Sequence, residues 1–278
     1  VTIAWIGPRG IIAAAISAVF ALRLEEIGIV DASLLVPLAF VVIVGTVVLQ
    51  SFTSRFLARS LGVAEPDPEG VLVVGANPLT TALATALHEA GFRVVVSHSN
   101  WDGLKAARMA GIDTFYGNPM SDHADRTLDL AGIGKLFAMS RNTDFNHLAC
   151  AYFAGEFGRN NVYSLPVAVD SASSVSAKHA PVRQFRGRQL FAEKTSLSKM
   201  LSLLARGAEI KTTTLTDAVT FEDYTDRRDG ERIMLVAWDE KQRMQPFRAG
   251  REWTPGPGWT IASLVLEQEA ATGEADAV

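Results

Sequence analysis

The sequence predicts an α/β protein in three parts: two transmembrane helices, a doubly wound parallel sheet, and a small β-rich C-terminal domain. Three observations carry this reading. Residues 1–60 hold seven charged side chains (Arg9, Arg23, Glu25, Glu26, Asp31, Arg55, Arg59), while the whole chain is 20% charged. From residue 71 to 165, short apolar runs alternate with stretches of helical pattern, the mark of a parallel sheet with crossover helices. After residue 206, short β-type runs follow one another between glycine and proline turns, with no helical stretch of comparable length.

Composition removes several functional classes. The mean hydropathy of +0.17 is high for a wholly soluble chain. Beyond residue 60 there are 22 basic and 27 acidic residues, so no electrostatic footprint for nucleic acid is present. A single cysteine, Cys150, cannot close an intrachain disulfide, and no Cys/His cluster has zinc spacing. No metal site is expected.

The first apolar segment runs from Val1 to Leu22 with Arg9 as its one charge; the second, Leu34 to Phe52, has none. Each meets the length of about 20 residues that a bilayer requires. The first is not a signal peptide, because its apolar part is too long and no basic stretch precedes it. The link Arg23–Asp31 is acidic, whereas Thr53–Leu61 carries Arg55 and Arg59 without an acid. Positive charge marks the cytoplasmic side, so everything after Phe52 is expected there. Cys150 then lies in a reducing compartment.

Arg9 is the informative membrane residue. A guanidinium inside a span costs about 3 kcal/mol and usually faces a protein interior, or snorkels to the interface if close to the end. Pro8 and the glycines Gly7 and Gly10 loosen the helix around it. The run Trp5-Ile6-Gly7-Pro8-Arg9-Gly10-Ile11 resembles the arginine-bearing late helix of bacterial monovalent cation:proton antiporters of the sodium/potassium:proton type. Val44-Gly45-Thr46-Val47-Val48-Leu49-Gln50, followed by Arg55 and Arg59, resembles their last helix. The resemblance covers residues 1–62. It implies a transport role for Arg9, a multi-pass protein of the bacterial inner (plasma) membrane, and partner helices upstream that this chain lacks. The chain is accordingly expected to be the C-terminal part of a transporter, unable to transport alone.

Residues 62–70 read as a linker, rich in proline and acid. Val71-Leu72-Val73-Val74 is a continuous apolar run suited to a strand buried on both faces. Gly75-Ala76-Asn77-Pro78-Leu79-Thr80 follows, then a helix over 82–91 closed by Gly91, then a strand over 92–96. Against the G-x-G-x-x-G dinucleotide pattern, Gly75 matches, Asn77 stands for the second glycine and Thr80 for the third. Asn77 is a good N-cap and Pro78 suits the first helical position, so the helix N-terminus is well formed for an anion. After the second strand, where NAD enzymes place an acid on the ribose, the sequence has Ser97-His98-Ser99-Asn100. The missing carboxylate argues against NAD in particular.

A helix ending at Gly111, a strand at 113–116, a helix over 127–131, a strand over 135–140, a helix over 145–157 and a strand over 161–165 complete the alternation. The right-handed crossover rule puts 75–77, 97–100, 117–118 and 140–142 on one edge of the sheet, where ligands of such folds bind. Val73-Val74-Gly75-Ala76-Asn77-Pro78, Ser99-Asn100, Tyr116-Gly117-Asn118 and Ser140-Arg141-Asn142-Thr143-Asp144 with Asn146 resemble the N-terminal domain of regulators of potassium conductance (RCK, or TrkA-N, domains). The resemblance implies a Rossmann-like fold over 71–182, a regulatory ligand such as NAD(H) or an adenine nucleotide, and a homodimer. The candidate ligand residues are Gly75, Ala76, Asn77, Pro78, Leu79, Ser99, Asn100, Asn118, Ser140 and Arg141.

A small C-terminal regulatory domain is expected over 183–266, with a helix at 195–206, strands at 210–215, 233–238, 244–247 and 261–266, and a disordered tail at 267–278. Arg183, Arg186 and Arg188 form a basic cluster that reads as a solvated face or else an anion contact. The five histidines are scattered, and no nucleophile, metal-hydrolase or P-loop pattern occurs, so no catalysis is expected. The leading reading is an antiporter fragment, residues 1–61 being its last two helices, regulated by a ligand-responsive RCK domain. The alternatives are a membrane-anchored NAD-binding oxidoreductase and a regulatory subunit of a potassium channel or uptake system.

Overall fold

The computed structural model describes residues 11–60, 68–168, 186–192, 195–226, 230–251 and 253–267. The chain divides into two units, Val1–Pro66 and Asp67–Val278. Arg9, most of the linker, the junction at 182–183 and the tail beyond Glu267 lie outside the described residues.

The first unit contains helix α1 (Ile11–Glu26), a 3₁₀ turn (Val30–Leu34) and helix α2 (Leu35–Ser60). Among the described residues one helical stretch, Leu35–Ser54, is long and apolar enough to cross a membrane. Its Leu38, Phe40, Val41 and Val44 are exposed. Ile11–Leu22 of the first expected span are helical, and residues 1–10 lie outside the described residues. The helix extends through Arg23 to Glu26, which form an i, i+3 ion pair. Those residues were expected in the connecting loop.

The second unit is built on a six-stranded parallel sheet of order β3-β2-β1-β4-β5-β6. Its strands are β1 (Gly70–Val74), β2 (Val94–His98), β3 (Asp113–Tyr116), β4 (Ile133–Ala138), β5 (Val162–Ser164) and β6 (Arg188–Gln189). Helices α3 (Pro78–Glu89), α4 (Trp101–Met109), α5 (Asp122–Thr127) and α6 (Thr143–Phe153) connect the first five. The chain leaves β1 for β2 on one side and later returns to β4 on the other, so the strand order reverses beside β1. Both faces of β1 are covered: Val71 and Val73 pack with Leu79, Leu83 and Leu87 of α3, and Leu72 and Val74 pack with Phe115, Leu136 and Phe153. This is why the strand reads as an unbroken apolar run rather than an alternating one.

After α7 (Leu197–Ala205), a four-stranded antiparallel sheet of order β7-β10-β8-β9 forms from β7 (Glu209–Thr214), β8 (Gly230–Trp238), β9 (Met244–Pro246) and β10 (Thr260–Glu267), with helix α8 (Phe221–Asp226) before β8. On α7, Leu197, Met200 and Leu203 are buried, and Leu201 and Leu204 pack beside them. They join Leu235 and Leu264 of the second sheet in the same core as Val71 and Val73.

Several elements differ from expectation, and three of the differences have a clear local cause. Strand β2 starts at Val94, because the Phe92 amide donates to the Leu87 carbonyl and so closes α3 through Gly91 at φ +86°. The helix expected at 127–131 lies at Asp122–Thr127 instead, started by the Ser121 cap; Asp129 then accepts from the Ala131 amide and Arg93, which holds a turn. Helix α8 was not expected, although Thr220 and Asp223 bond each other's amides in a capping box that the sequence T-x-x-D signals.

Candidate functional site

All six strands of the parallel sheet end on one edge, and the turns that follow carry the candidate residues. The turn after β1 is the most constrained. Gly75 has φ +119°, and a Cβ there would lie 2.7 Å from both the Cα and the amide nitrogen of Ser140. Only a glycine lets the β1–α3 turn approach the end of β4 this closely.

Asn77 caps α3. Its Oδ1 accepts from the Thr80 amide (3.1 Å) and the Thr80 hydroxyl accepts from the Asn77 amide (2.8 Å). The Asn77 Nδ2 donates to the Met139 carbonyl at 2.9 Å. The side chain that replaces the second glycine is therefore turned inward and 8% exposed. The Gly75 amide donates to the Ser97 carbonyl and the Thr81 amide to the Asn77 carbonyl. Pro78 has no N–H, so among the described residues the amide of half-buried Ala76 is the donor this turn leaves open, at the positive end of a 12-residue helix; the Leu79 amide has no backbone partner either, but Leu79 is fully buried.

Ser140 forms the opposite wall with Asn146, which is fully buried. Asn146 Oδ1 accepts from the Ser140 amide (3.0 Å) and hydroxyl (2.6 Å), and Nδ2 donates to the Ser140 carbonyl (3.0 Å). Asn142 caps α6 through the Phe145 amide. Asn146 and Met139 were not among the candidates, yet they fix the wall. Asn146 was visible in the Ser140–Asn146 motif; the Met139 carbonyl had no sequence signal.

The turn after β2 lies beside the first. Gly103 of α4 approaches Ala76 so closely that a Cβ would stand 3.1 Å from the Ala76 Cβ. Asn100 caps α4 through the Asp102 amide, and the His98 Nδ1 accepts from the Asn100 amide. Ser99 and Asn100 are exposed there, and so is Arg141 beside Ser140. Asn118 follows β3, two strands from β1, and its Oδ1 accepts from the Met120 amide. The structure thus brings Gly75 against Ser140 and Asn77 against Met139, with Ala76 between them and Pro78 and Leu79 opening α3, sets Ser99 and Asn100 in the next turn, and leaves Asn118 in an outer one.

The arrangement offers amides, amide side chains and one flanking guanidinium. Among the described residues there is no group of three His, Cys, Asp or Glu that could hold a metal. Cys150 is buried in α6 and packs with the core beneath β4 and β5.

No family model matches the chain, and no curated protein matches it. Among solved structures, the NAD(P)-binding domain of an exopolyphosphatase-related protein from Archaeoglobus fulgidus matches at 13% identity and TM-score 0.35, covering 49% of this chain and 92% of that one. The GsuK channel bound to NAD matches at 15% identity and TM-score 0.35, covering 90% of this chain and 50% of that one. GsuK bound to ADP matches at 18% identity and TM-score 0.35, covering 69% and 52%. The chain spans about half the length of the GsuK chains. At such scores the site is read from this chain's own residues.

Proposed function

We propose that the second unit is an RCK-type regulatory domain that binds an adenine nucleotide at the β1–β4 edge and controls cation movement through membrane helices. The observation that supports it most directly is the junction of Gly75 and Asn77 with Met139 and Ser140, which leaves the Ala76 amide open where the strand order reverses. An open amide at the positive end of a helix suits a phosphate, and Arg141 supplies a counter-charge. Ser99 and Asn100 are placed to meet a ribose, but neither is the carboxylate that would favour NAD(H) over an adenosine phosphate.

The transport setting rests on the sequence resemblance of residues 1–62 to the last helices of sodium/potassium:proton antiporters, with Leu35–Ser54 as the span and the second unit in the bacterial cytoplasm. On this reading the domain binds and shifts, and performs no catalysis. RCK-type pairing into a homodimer belongs to the same proposal.

A thermal-shift titration of the detergent-solubilised chain with ATP, ADP, AMP, NAD⁺ and NADH tests it. A ligand of the folded state stabilises by about 2.7 kcal/mol at a hundredfold excess over Kd. We expect an adenosine phosphate to raise Tm more than NAD⁺ does, and Arg141→Glu, an exposed substitution, to weaken the effect. If no nucleotide moves Tm, or Arg141→Glu leaves the response unchanged, the ligand reading is wrong.

A further inference from the structure

The other edge of the parallel sheet, where the strands begin, carries a second concave feature. A cavity of about 450 Å³ is lined by Lys135, Asn160, Tyr163, Arg188, Arg248 and Arg251 among others. It draws on β4, β5, β6 and the segment after β9, all within the second unit.

Its positive charge is held in register by backbone. Arg188 stands beside Tyr163 in the β5–β6 ladder. Leu190 bridges to Arg248, and the Phe191 amide donates to the Phe247 carbonyl at 2.8 Å. These bonds fix the Arg188 and Arg248 backbones on two sides of one recess. The Arg188 guanidinium is further oriented by a hydrogen bond to Asn160 Oδ1.

The charge is also uncompensated. Lys135 is neutralised by Glu69, Nζ to Oε2 2.6 Å. Among the described residues, Arg188, Arg248 and Arg251 have no carboxylate partner. Burial, then the charges of Arg188 and Arg251, hold the Arg248 guanidinium below its ordinary value. All three arginines also act on the buried Tyr163 hydroxyl, opposing the rise that burial causes. Like charges gathered in a recess repel unless an anion enters, and planar guanidinium forks match phosphate oxygens two at a time.

We propose that this cavity binds a diphosphate-bearing anion through Arg188, Arg248 and Arg251, with the Tyr163 hydroxyl as a further donor. The site is distinct from the one proposed at the β1–β4 edge and does not depend on it. The diphosphate is free or part of a nucleotide, and the probes separate these.

The test is a thermal-shift and calorimetric titration of the 278-residue chain with sodium pyrophosphate, ADP and adenosine, at ionic strength held constant with sodium chloride. Pyrophosphate is expected to bind saturably, and Arg248→Gln to weaken it at least tenfold while the unliganded chain melts no lower than the parent. Arg251→Gln, at an exposed position, is expected to weaken it too and keeps the test valid if Arg248→Gln misfolds. Tight binding by ADP but not pyrophosphate, lost in Arg248→Gln, assigns the diphosphate to a nucleotide and supports the site. A response that follows ionic strength alone, or affinities of pyrophosphate and ADP that neither arginine substitution changes, overturns it.

Discussion

The Asn77 Nδ2 donates to the carbonyl of Met139 at 2.9 Å, while the Met139 amide donates to the Val74 carbonyl at 2.8 Å. One asparagine therefore caps a helix with its oxygen and ties that helix to the neighbouring strand with its nitrogen. The candidate ligand edge owes its shape to this double use, because the β1–α3 turn cannot drift from β4 while both bonds hold.

Asn77→Ala should remove the cap and strand the Met139 carbonyl. A lost N-cap costs about 1 kcal/mol and an unpaired buried acceptor a further ~1–2 kcal/mol. Asn77→Ser keeps an acceptor for the Thr80 amide but gives up the reach to Met139, so it should fall between the parent and the alanine variant. Urea melts of the three chains give the order; equal stability of the serine and asparagine chains would mean that the Met139 bond contributes nothing.

Gly75→Ala tests the close approach from the other side. The new Cβ would meet backbone atoms of Ser140 at 2.7 Å, and alanine is strained at φ +119° whatever the space. Backbone cannot swing aside as a side chain does, so a loss of about 2–4 kcal/mol is expected. Gly111 has φ +75° with nothing near its missing Cβ. Gly111→Ala should therefore cost only the backbone strain, about 1 kcal/mol. Parallel thermal melts decide it, and equal losses at the two sites would remove the steric argument.

The parts of this fold that were legible in sequence are those governed by neighbours along the chain. Val71–Val74 announced a strand covered on both faces, Asn77-Pro78 announced a helix start, and Gly91 and Gly111 announced helix ends, both at positive φ. What was not legible depends on distant partners. Asn77 stands where the dinucleotide pattern has its second glycine, yet its side chain is drawn inward by a carbonyl 62 residues away. Arg188 belonged to a visible basic cluster, but Arg248 and Arg251 join it only through the Leu190–Arg248 bridge. The short helix α8 escaped because six residues give too little periodicity, and the Thr220–Asp223 box was its one local sign.

Asn146 is fully buried and makes three bonds to Ser140, at 2.6 to 3.0 Å. Asn146→Leu conserves volume and keeps the helix, yet leaves the Ser140 amide and carbonyl without these partners. The expected loss is about 2–3 kcal/mol, and the Ser140–Arg141 turn should become more open to exchange. Hydrogen exchange at Ser140 should speed up more than at Leu136, which β4 holds in the sheet. Uniform acceleration over β4 would point to general destabilisation instead.

Cys150 reports on the packing beneath β5. Its thiol is 1% exposed and donates to the Tyr163 carbonyl at 3.5 Å, and a Cβ on Gly187 would stand only 2.5 Å from the sulfur. Burial pushes this thiol from an ordinary value of 9.0 up to about 12. The folded chain therefore holds a proton between pH 9 and 12 that the unfolded chain releases, so stability falls as pH rises through that window and is unaffected below it. The slope approaches about 1.4 kcal/mol per pH unit for one proton. The buried Tyr163 hydroxyl, also raised, acts in the same sense, so the cysteine's share is the difference between the parent and Cys150→Ala. At pH 8 the native thiol should resist a disulfide reagent and react once denaturant unfolds the chain, since the thiolate is the nucleophile. Urea melts at pH 8 and 10 should show the parent losing more stability than Cys150→Ala. A native thiol that reacts as fast as the unfolded one would show that β5 and the Arg186-Gly187-Arg188 segment do not cover it.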